Sequence, residues 1–310
     1  RSRGLGDVYK RQEDIFMQLK INKISKTFEN GTKALDKIDL VIEKGIFGLL
    51  GQNGAGKTTL MRILTTIYDV SEGTLSMDST EYCKTNYSKI KQKIGYLPQE
   101  LGMYPNLSVR ESLEYIGALS GIPSTTLKMR INNLLEQTNM KDYQKMKNRQ
   151  LSGGMKRRVG LVQAMLTNPE LLIVDEPTAG VDPEERIKIR KMLSDFGKDR
   201  TVIFSTHVVE DLVSISNKLC VLNKGKVKYL GSVADMIKIA DKHCFECDIK
   251  LGEDIKLEES GIYIVNKCYT ESGIKVKFIS KNKPEFNCTF VNPELEDAYI
   301  YICLLYTSPS

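Results

Sequence analysis

The sequence predicts an α/β fold in which helices cover a mainly parallel sheet, and two segments carry this prediction. The apolar run 46–50 leads into the glycine-rich stretch 51–58, and residues 59–64 after it have the character of a helix. The apolar run 171–174 ends in two adjacent acids, a pattern typical of a buried parallel strand. Ligands of open α/β sheets bind at the edge where the carboxyl ends of such strands meet.

Residues 51–58 read Gly-Gln-Asn-Gly-Ala-Gly-Lys-Thr and match the pattern G-x-x-x-x-G-K-[ST]; we call them the phosphate loop. Glycines allow backbone N–H groups to curl around phosphate oxygens at the start of a helix. The pattern therefore predicts a nucleotide site, with the lysine facing the phosphates. The residues expected to contact nucleotide here are Gly51, Asn53, Gly54, Ala55, Gly56, Lys57, Thr58 and Thr59.

Two carboxylates, Asp175 and Glu176, end the apolar run 171–174. Two acids after such a run often mark only a strand end followed by a helix cap. With a phosphate loop upstream, separate catalytic roles for the two carboxylates are the better interpretation. Asp175 is expected to hold Mg²⁺ together with Thr58, while Glu176 orients or deprotonates the attacking water.

Shortly before this strand, residues 151–155 read Leu-Ser-Gly-Gly-Met. Together with the phosphate loop and the acidic pair, this segment resembles the signature of ATP-binding cassette (ABC) ATPase subunits. The resemblance covers about residues 18–230. It implies a phosphate-loop ABC ATPase fold, with a mixed core sheet and helices, an antiparallel β-subdomain and a helical subdomain. A small C-terminal α/β domain is expected to follow.

The resemblance also implies roles for residues outside the phosphate loop. Phe28 matches an aromatic that stacks on adenine, and Gln99 matches a glutamine that touches Mg²⁺ and water and senses the membrane partner. Asp182 anchors a loop that contacts the opposite subunit, and His207 contacts the γ-phosphate. The signature residues expected to bind nucleotide from across a dimer interface are Ser152, Gly153 and Gly154.

The helical subdomain is expected at about residues 100–164. Ser108 and Glu111 form a capping-box pattern, and apolar residues then follow helical spacing to Leu119. After a Gly-Ile-Pro break, apolar residues at 127, 131 and 134 predict a second amphipathic helix. The ATPase domain as a whole is expected at residues 17–230.

A small accessory domain is expected at residues 232–303. Strands are predicted over 244–251, 262–268 and 274–279, with a turn at 271–273. A final helix is predicted to open at Pro293. The role of this accessory domain is left open: it could be structural, support a dimer or regulate the ATPase. Residues 1–12 and 304–310 resemble translated adapter sequence, and we expect residues 1–16 and 304–310 to be non-native.

The composition is that of an ordinary globular protein, with 41% hydrophobic and 27% charged residues. A formal charge of +6 without a basic tract does not indicate a specific nucleic-acid partner. No run approaches the ~18 to 20 apolar residues that cross a bilayer. A membrane channel would therefore be a separate chain. Seven scattered cysteines favour a reducing compartment over a disulfide framework.

These observations predict the ATP-hydrolysing subunit of an ABC membrane transporter, an exporter by resemblance of its tail. Its cofactors are ATP and Mg²⁺, and its partners are a separate integral-membrane subunit and a second ATPase subunit, identical or not. Such a subunit lies on the cytoplasmic face of the membrane. The alternative is a non-transport ABC ATPase acting on ribosomes or nucleic acid. Only 93 residues separate Lys57 from Leu151, too few for the long arms of chromosome-structuring relatives.

Overall fold

A computed structural model describes residues 17–216, 218–250, 261–270 and 273–305 of the 310-residue chain. Residues 1–16 and 306–310, which hold nearly all of both predicted non-native ends, and residues 271–272 of the predicted turn lie outside the described residues.

The strands of the described ranges alternate with helices through the first two thirds of the chain and cluster near its end. They are β1 (Leu19–Thr27), β2 (Lys33–Ile42), β3 (Gly45–Leu50), β4 (Glu72–Met77), β5 (Thr80–Glu81), β6 (Ile94–Leu97), β7 (Leu171–Asp175), β8 (Thr201–Thr206), β9 (Lys218–Asn223), β10 (Lys226–Ser232), β11 (Cys244–Lys250), β12 (Ile262–Thr270), β13 (Gly273–Ser280) and β14 (Thr289–Phe290).

The α-helices of the same ranges are short to medium in length. They are α1 (Lys57–Leu64), α2 (Tyr87–Lys93), α3 (Val109–Leu119), α4 (Ser124–Gln137), α5 (Gly153–Met165), α6 (Pro183–Gly197), α7 (Val209–Ile215), α8 (Val233–Ile239) and α9 (Leu295–Leu304). In the part of the chain that the structure describes, no helix has the length and apolar character needed to cross a membrane.

A six-stranded sheet forms the core, in the order β10-β9-β3-β8-β7-β6. Its strands run parallel except β10, which pairs antiparallel with β9. Every residue of β7 and β8 is buried, as expected for central strands covered on both faces. The mixed core sheet predicted from the sequence is confirmed. Its carboxyl edge collects the ends of β3, β8, β7 and β6.

A second sheet, β2-β1-β4-β5, is antiparallel and supplies the predicted β-subdomain. Alternate residues of β2, such as Ile38, Leu40 and Ile42, point inward and are at most 1% exposed. They join one apolar cluster with residues of α1 and of the core sheet. The β-subdomain thus packs directly on the helix that follows the phosphate loop.

Helices α3, α4 and α5 pack around a separate apolar cluster that includes Leu113, Ile131 and Val159. The predicted capping box starts α3: the Ser108 hydroxyl accepts from the Glu111 N–H, and the Glu111 carboxylate accepts from the Ser108 N–H. One buried ion pair ties this helical region to α6, because Arg158 of α5 lies 2.7 Å from Glu185.

The C-terminal strands form a third, antiparallel sheet in the order β12-β13-β11-β14. Phe245 and Phe278 stack inside it. Helix α9 begins at Leu295, capped by Glu294, so the prediction that Pro293 occupies its first turn was wrong. Leu295 and Ile302 of α9 share an apolar cluster with the core-sheet strands β8 and β9. The C-terminal region is therefore joined to the core sheet by a continuous apolar interior.

Candidate active site

The phosphate loop leaves β3 and enters α1 with a backbone that glycine makes possible. A Cβ on Gly51 would lie 2.5 Å from the Leu222 carbonyl oxygen. Gly56, directly before α1, has φ +108°, a conformation that L side chains rarely adopt. No side chain caps the start of α1. The first N–H groups of a helix have no partner within it, so this end is suited to an anion.

Lys57 is 5% exposed and folds back over its own loop. Its ammonium group donates to the carbonyl oxygens of Gly51, at 2.6 Å, and of Gln52, at 3.3 Å. Burial lowers the pKa of Lys57, and the carboxylates of Glu176 and Asp175 oppose that effect. The loop carbonyls therefore hold the Lys57 ammonium group against the phosphate loop.

Glu176 stands at the centre of the site. Its Oε1 lies 3.6 Å from Lys57 Nζ and 3.3 Å from His207 Nδ1, and its Oε2 accepts from Gln99 Nε2 at 3.3 Å. The four residues follow β7, β3, β8 and β6, which are neighbours in the core sheet. The structure thus brings together the predicted lysine, base, glutamine and histidine at one sheet edge.

The backbone of Glu176 has φ +47°, an uncommon conformation for a residue other than glycine. Such backbones cost about 1–3 kcal/mol and persist where surrounding contacts impose them. The Glu176 N–H donates to the Ser205 hydroxyl oxygen at 3.0 Å. That contact holds the strained residue at the end of β7.

Asp175 is fully buried at the same strand end. Its Oδ1 accepts from the Ser205 hydroxyl at 2.5 Å. Its Oδ2 has no hydrogen-bond partner among the described residues, although it is shielded from solvent. An unpaired buried carboxylate oxygen is costly, and a hard cation is a suitable partner for it.

Ser205 was not predicted as a site residue. It sits in the register position of β8 that faces Asp175 on β7, and its hydroxyl bridges the two acidic residues. Arg157 of α5 was also missed: its guanidinium donates to the Pro98 carbonyl at 3.0 Å, next to Gln99. Only the pairing of strands and helices reveals these contacts.

Phe28 lies just past the end of β1 and is half-buried. Its ring packs edge-on against Tyr68, with ring centroids 5.5 Å apart, and the Lys26 ammonium lies 5.5 Å from the Phe28 centroid. Thr58 and Thr59 occupy the first turn of α1 and are also half-buried. Asn53 and Gly54 form the exposed tip of the loop.

The signature residues lie apart from this site within one chain. Ser152 and Gly153 are exposed at the start of α5, where the Ser152 hydroxyl caps the Met155 N–H. A Cβ on Gly154 would meet the Glu185 side chain at 2.6 Å, so Gly154 faces the interior on that side. Within the described ranges, no hydrogen bond or ion pair joins these three residues to the phosphate loop.

Asp182 caps α6. Its Oδ1 accepts from the Glu185 N–H at 2.9 Å, and Pro183 starts the helix. Glu185 also pairs with Arg158, as described above. The predicted subunit-contact loop is thereby fixed to α5 and α6.

A nucleotide-binding loop that shares its sheet edge with two buried carboxylates defines a phosphate-loop ATPase. The sequence model of the ABC transporter family matches residues 35–179. An uncharacterized ABC transporter ATP-binding protein of Bacillus subtilis, YhaQ, is 34% identical over 85% of this chain and 87% of its own. The chain therefore belongs to the ABC transporter family, and it is an ATP-hydrolysing subunit of such a transporter.

Two further proteins are similar to this chain. A methionine import ATP-binding protein of Bacillus cereus, MetN 2, is 33% identical over 70% of this chain and 67% of its own. A dimeric ATP-binding cassette, solved in a post-hydrolysis state bound to ADP and Pi, has a TM-score of 0.63. It is 24% identical and covers 69% of this chain and 98% of its own, so it shows the shared fold.

Proposed function

We propose that Glu176 activates the attacking water, while Lys57 neutralises the β- and γ-phosphates of ATP. The observation that carries this proposal is the position of the Glu176 carboxylate, within 3.3 to 3.6 Å of Lys57, His207 and Gln99. A general base must lie within reach of the water and of groups that orient it. His207, which is 49% exposed, contacts the γ-phosphate from the open side.

The donor set at the sheet edge fits Mg²⁺. Asp175 offers a buried, unpaired oxygen, and the hydroxyl of Thr58 and the amide oxygen of Gln99 are further hard ligands. When bound, Mg²⁺ would neutralise charge on the phosphates. In this proposal Asp175, Thr58 and Gln99 hold the ion. Ser205 fixes the Asp175 carboxylate, and Phe28 stacks on the adenine ring.

The active unit in this proposal is a dimer, identical or mixed. Ser152 and Gly153 are exposed and unconnected to their own phosphate loop, as residues that complete a partner's site would be. Gly154 has no side chain and contributes its backbone amide, and Glu185 leaves no space for a Cβ at this position. ATP binding closes the dimer around two nucleotides, and hydrolysis reopens it.

The transport assignment extends this cycle to a membrane partner on a separate chain. Residues 17–230 form the ATPase domain, and its helical region at about 100–164 moves the partner at the cytoplasmic face of the membrane. We propose export as the direction, because residues 232–303 resemble the small α/β tails of exporters. Import is the second candidate, since MetN 2 is an import protein by name.

Co-expression with a polytopic membrane protein encoded beside this chain tests the transport assignment. A tag on this chain should retain the membrane protein, and the purified complex should hydrolyse ATP. Recovery of ribosomal subunits or nucleic acid in its place would contradict the proposal and favour the non-transport alternative. A requirement for an extracytoplasmic binding protein in the stimulated ATPase would contradict export.

A further inference from the structure

The segment that follows Glu176 is bonded to the helix that follows His207. Thr178 lies two residues beyond Glu176, in a turn where the Ala179 N–H donates to the Glu176 carbonyl at 3.3 Å. The Thr178 hydroxyl donates to Asp211 Oδ2 at 2.5 Å. Asp211 lies in the first turn of α7, four residues beyond His207. One side-chain hydrogen bond therefore connects the chain beyond Glu176 to the chain beyond His207.

The Thr178–Asp211 hydrogen bond is shielded from solvent. Thr178 is 2% exposed, and Asp211 is fully buried. The other Asp211 oxygen, Oδ1, accepts from the Arg190 guanidinium of α6 at 3.4 Å. A buried carboxylate is costly without partners, and hydrogen bonds to charged groups are the stronger ones. Asp211 is thus held by two segments other than its own helix, and the first turn of α7 is held with it.

The position of the His207 ring depends on the backbone that carries it, because the side chain is 49% exposed. The ring places its Nδ1 3.3 Å from Glu176 Oε1. The Asp211 N–H donates to the Val208 carbonyl at 3.3 Å, so the residue after His207 is bonded directly to Asp211. A displacement of Asp211 would therefore shift the backbone beside His207 and change the distance from its ring to Glu176.

We infer that Thr178 and Asp211 are positioning residues that hold the His207 ring beside Glu176. The inference rests on the proposed function, in which His207 contacts the γ-phosphate of ATP. A misplacement of about 1 Å caused far from the chemistry can cost about 10²-fold in rate. ADP has no γ-phosphate, so the effect should fall on turnover and leave the affinity for ADP unchanged.

Thr178→Val tests this inference, because it replaces the hydroxyl by a methyl group of similar size. We expect the kcat with ATP and Mg²⁺ to fall about threefold to tenfold, the range that one hydrogen bond supports, with the Kd for ADP unchanged. Thr178→Ser keeps the hydroxyl and should retain the wild-type kcat. If Thr178→Val does not fold, Thr178→Ala takes its place, since it puts no methyl group against the Asp211 carboxylate.

Thr138→Val is the matched control and should leave the kcat unchanged. It removes another buried threonine hydroxyl, which donates to the Leu134 carbonyl at the end of α4 at 2.7 Å. A wild-type kcat in Thr178→Val would overturn the inference. A loss in Thr178→Ser as large as that in Thr178→Val would also overturn it, because the hydroxyl would then not be the group that matters.

His207→Ala separates failure of the inference from failure of the proposed function. In the His207→Ala background, Thr178→Val should cause no further loss of turnover, because no ring is left to position. An equal loss in both backgrounds would overturn the inference, since the hydroxyl would then act through another group, and the role of His207 would stand. If His207→Ala alone leaves turnover unchanged, the proposed role of His207 is wrong and the inference fails with it.

Histidine NMR gives a readout that does not depend on turnover. The chain contains two histidines, so His207→Ala assigns the ring signals of both in the nucleotide-free protein. Thr178→Val should move the His207 signal and leave that of His243 in place, whereas Thr138→Val should move neither. An unmoved His207 signal in folded Thr178→Val would show that the hydroxyl does not position the ring, which overturns the inference.

Discussion

The Lys57 ammonium nitrogen lies 3.6 Å from Glu176 Oε1, and the two side chains are 5% and 8% exposed. Their opposite charges partly compensate each other in an interior where an isolated charge would be costly. Nucleotide phosphates would have to draw Lys57 away from this partner and from the loop carbonyls. The resting site is thus held together by the same cation that the proposal assigns to ATP.

Nucleotide affinity should fall as the pH rises through the pKa of Lys57, because only the ammonium form attracts phosphate. Burial sets this pKa below the ordinary value of 10.5. Between the folded and unfolded values the folded chain binds fewer protons, so the Lys57 contribution to unfolding free energy increases with pH. ADP titrations from about pH 7 to pH 10 measure the effect. An identical pH slope in Lys57→Ala would contradict it.

Ser205→Ala should lower both stability and turnover. It leaves a carboxylate oxygen of Asp175 and the N–H of Glu176 without their partner, at about 1–3 kcal/mol for each unsatisfied group. Denaturant unfolding and steady-state hydrolysis measure the two effects. Ser214→Ala is the control, since that exposed hydroxyl donates to the Glu210 carbonyl one helical turn away and accepts from Arg190. Wild-type turnover in Ser205→Ala would show that the bridge is dispensable.

Arg158→Ala should destabilise the fold by up to about 3–5 kcal/mol, because it leaves the buried Glu185 carboxylate with the more exposed Lys188 as its remaining cationic partner among the described residues. The Arg158 guanidinium also donates to the Thr138 carbonyl at 2.9 Å, which links α5 to the end of α4. Lys188→Ala removes a 43%-exposed partner of the same carboxylate and should cost at most about 1 kcal/mol. Equal losses of unfolding free energy in Arg158→Ala and Lys188→Ala, measured with denaturant, would contradict the importance of the buried pair.

Mixed dimers should show whether each nucleotide site combines the phosphate loop of one subunit with the signature residues of the other. Gly153→Asp places a carboxylate at an open position, since nothing lies within 4 Å of an added Cβ there. This variant and Lys57→Ala should each be inactive alone. If the protein homodimerises, a mixed dimer of the two variants has both substitutions in one site and leaves the other site intact. The prediction also requires that one intact site can turn over alone. Part of the ATPase activity should then return. No recovery in demonstrated mixed dimers would count against sites completed across the interface.

Much of the fold was predictable because the relevant signals are local. The phosphate loop, the Asp175–Glu176 strand end and the Ser108 capping box each lie in one short segment. Gln99 and His207 were predicted by resemblance, and the parallel core sheet brings both to Glu176. The assigned roles of these residues remain predictions.

Other features depend on pairing between distant segments. Ser205 faces Asp175 only through the β7–β8 register. Gly154 shows the reverse case. The signature motif predicts that Gly154 contacts nucleotide, but the motif does not reveal that a Cβ at this position would meet the Glu185 side chain of α6. The start of α9 was misplaced because proline was expected inside the first turn, whereas Glu294 caps the helix after it.

The most direct test of the central claim is ATP turnover by Glu176→Gln. The amide is nearly isosteric and keeps contact with Gln99 and His207, but it cannot accept the proton of the attacking water. We expect turnover to fall by about 10²- to 10⁴-fold with ATP binding retained. An ATP-bound dimer should then accumulate and be visible by gel filtration. Undiminished hydrolysis by this variant would remove Glu176 from the role of base and contradict the account.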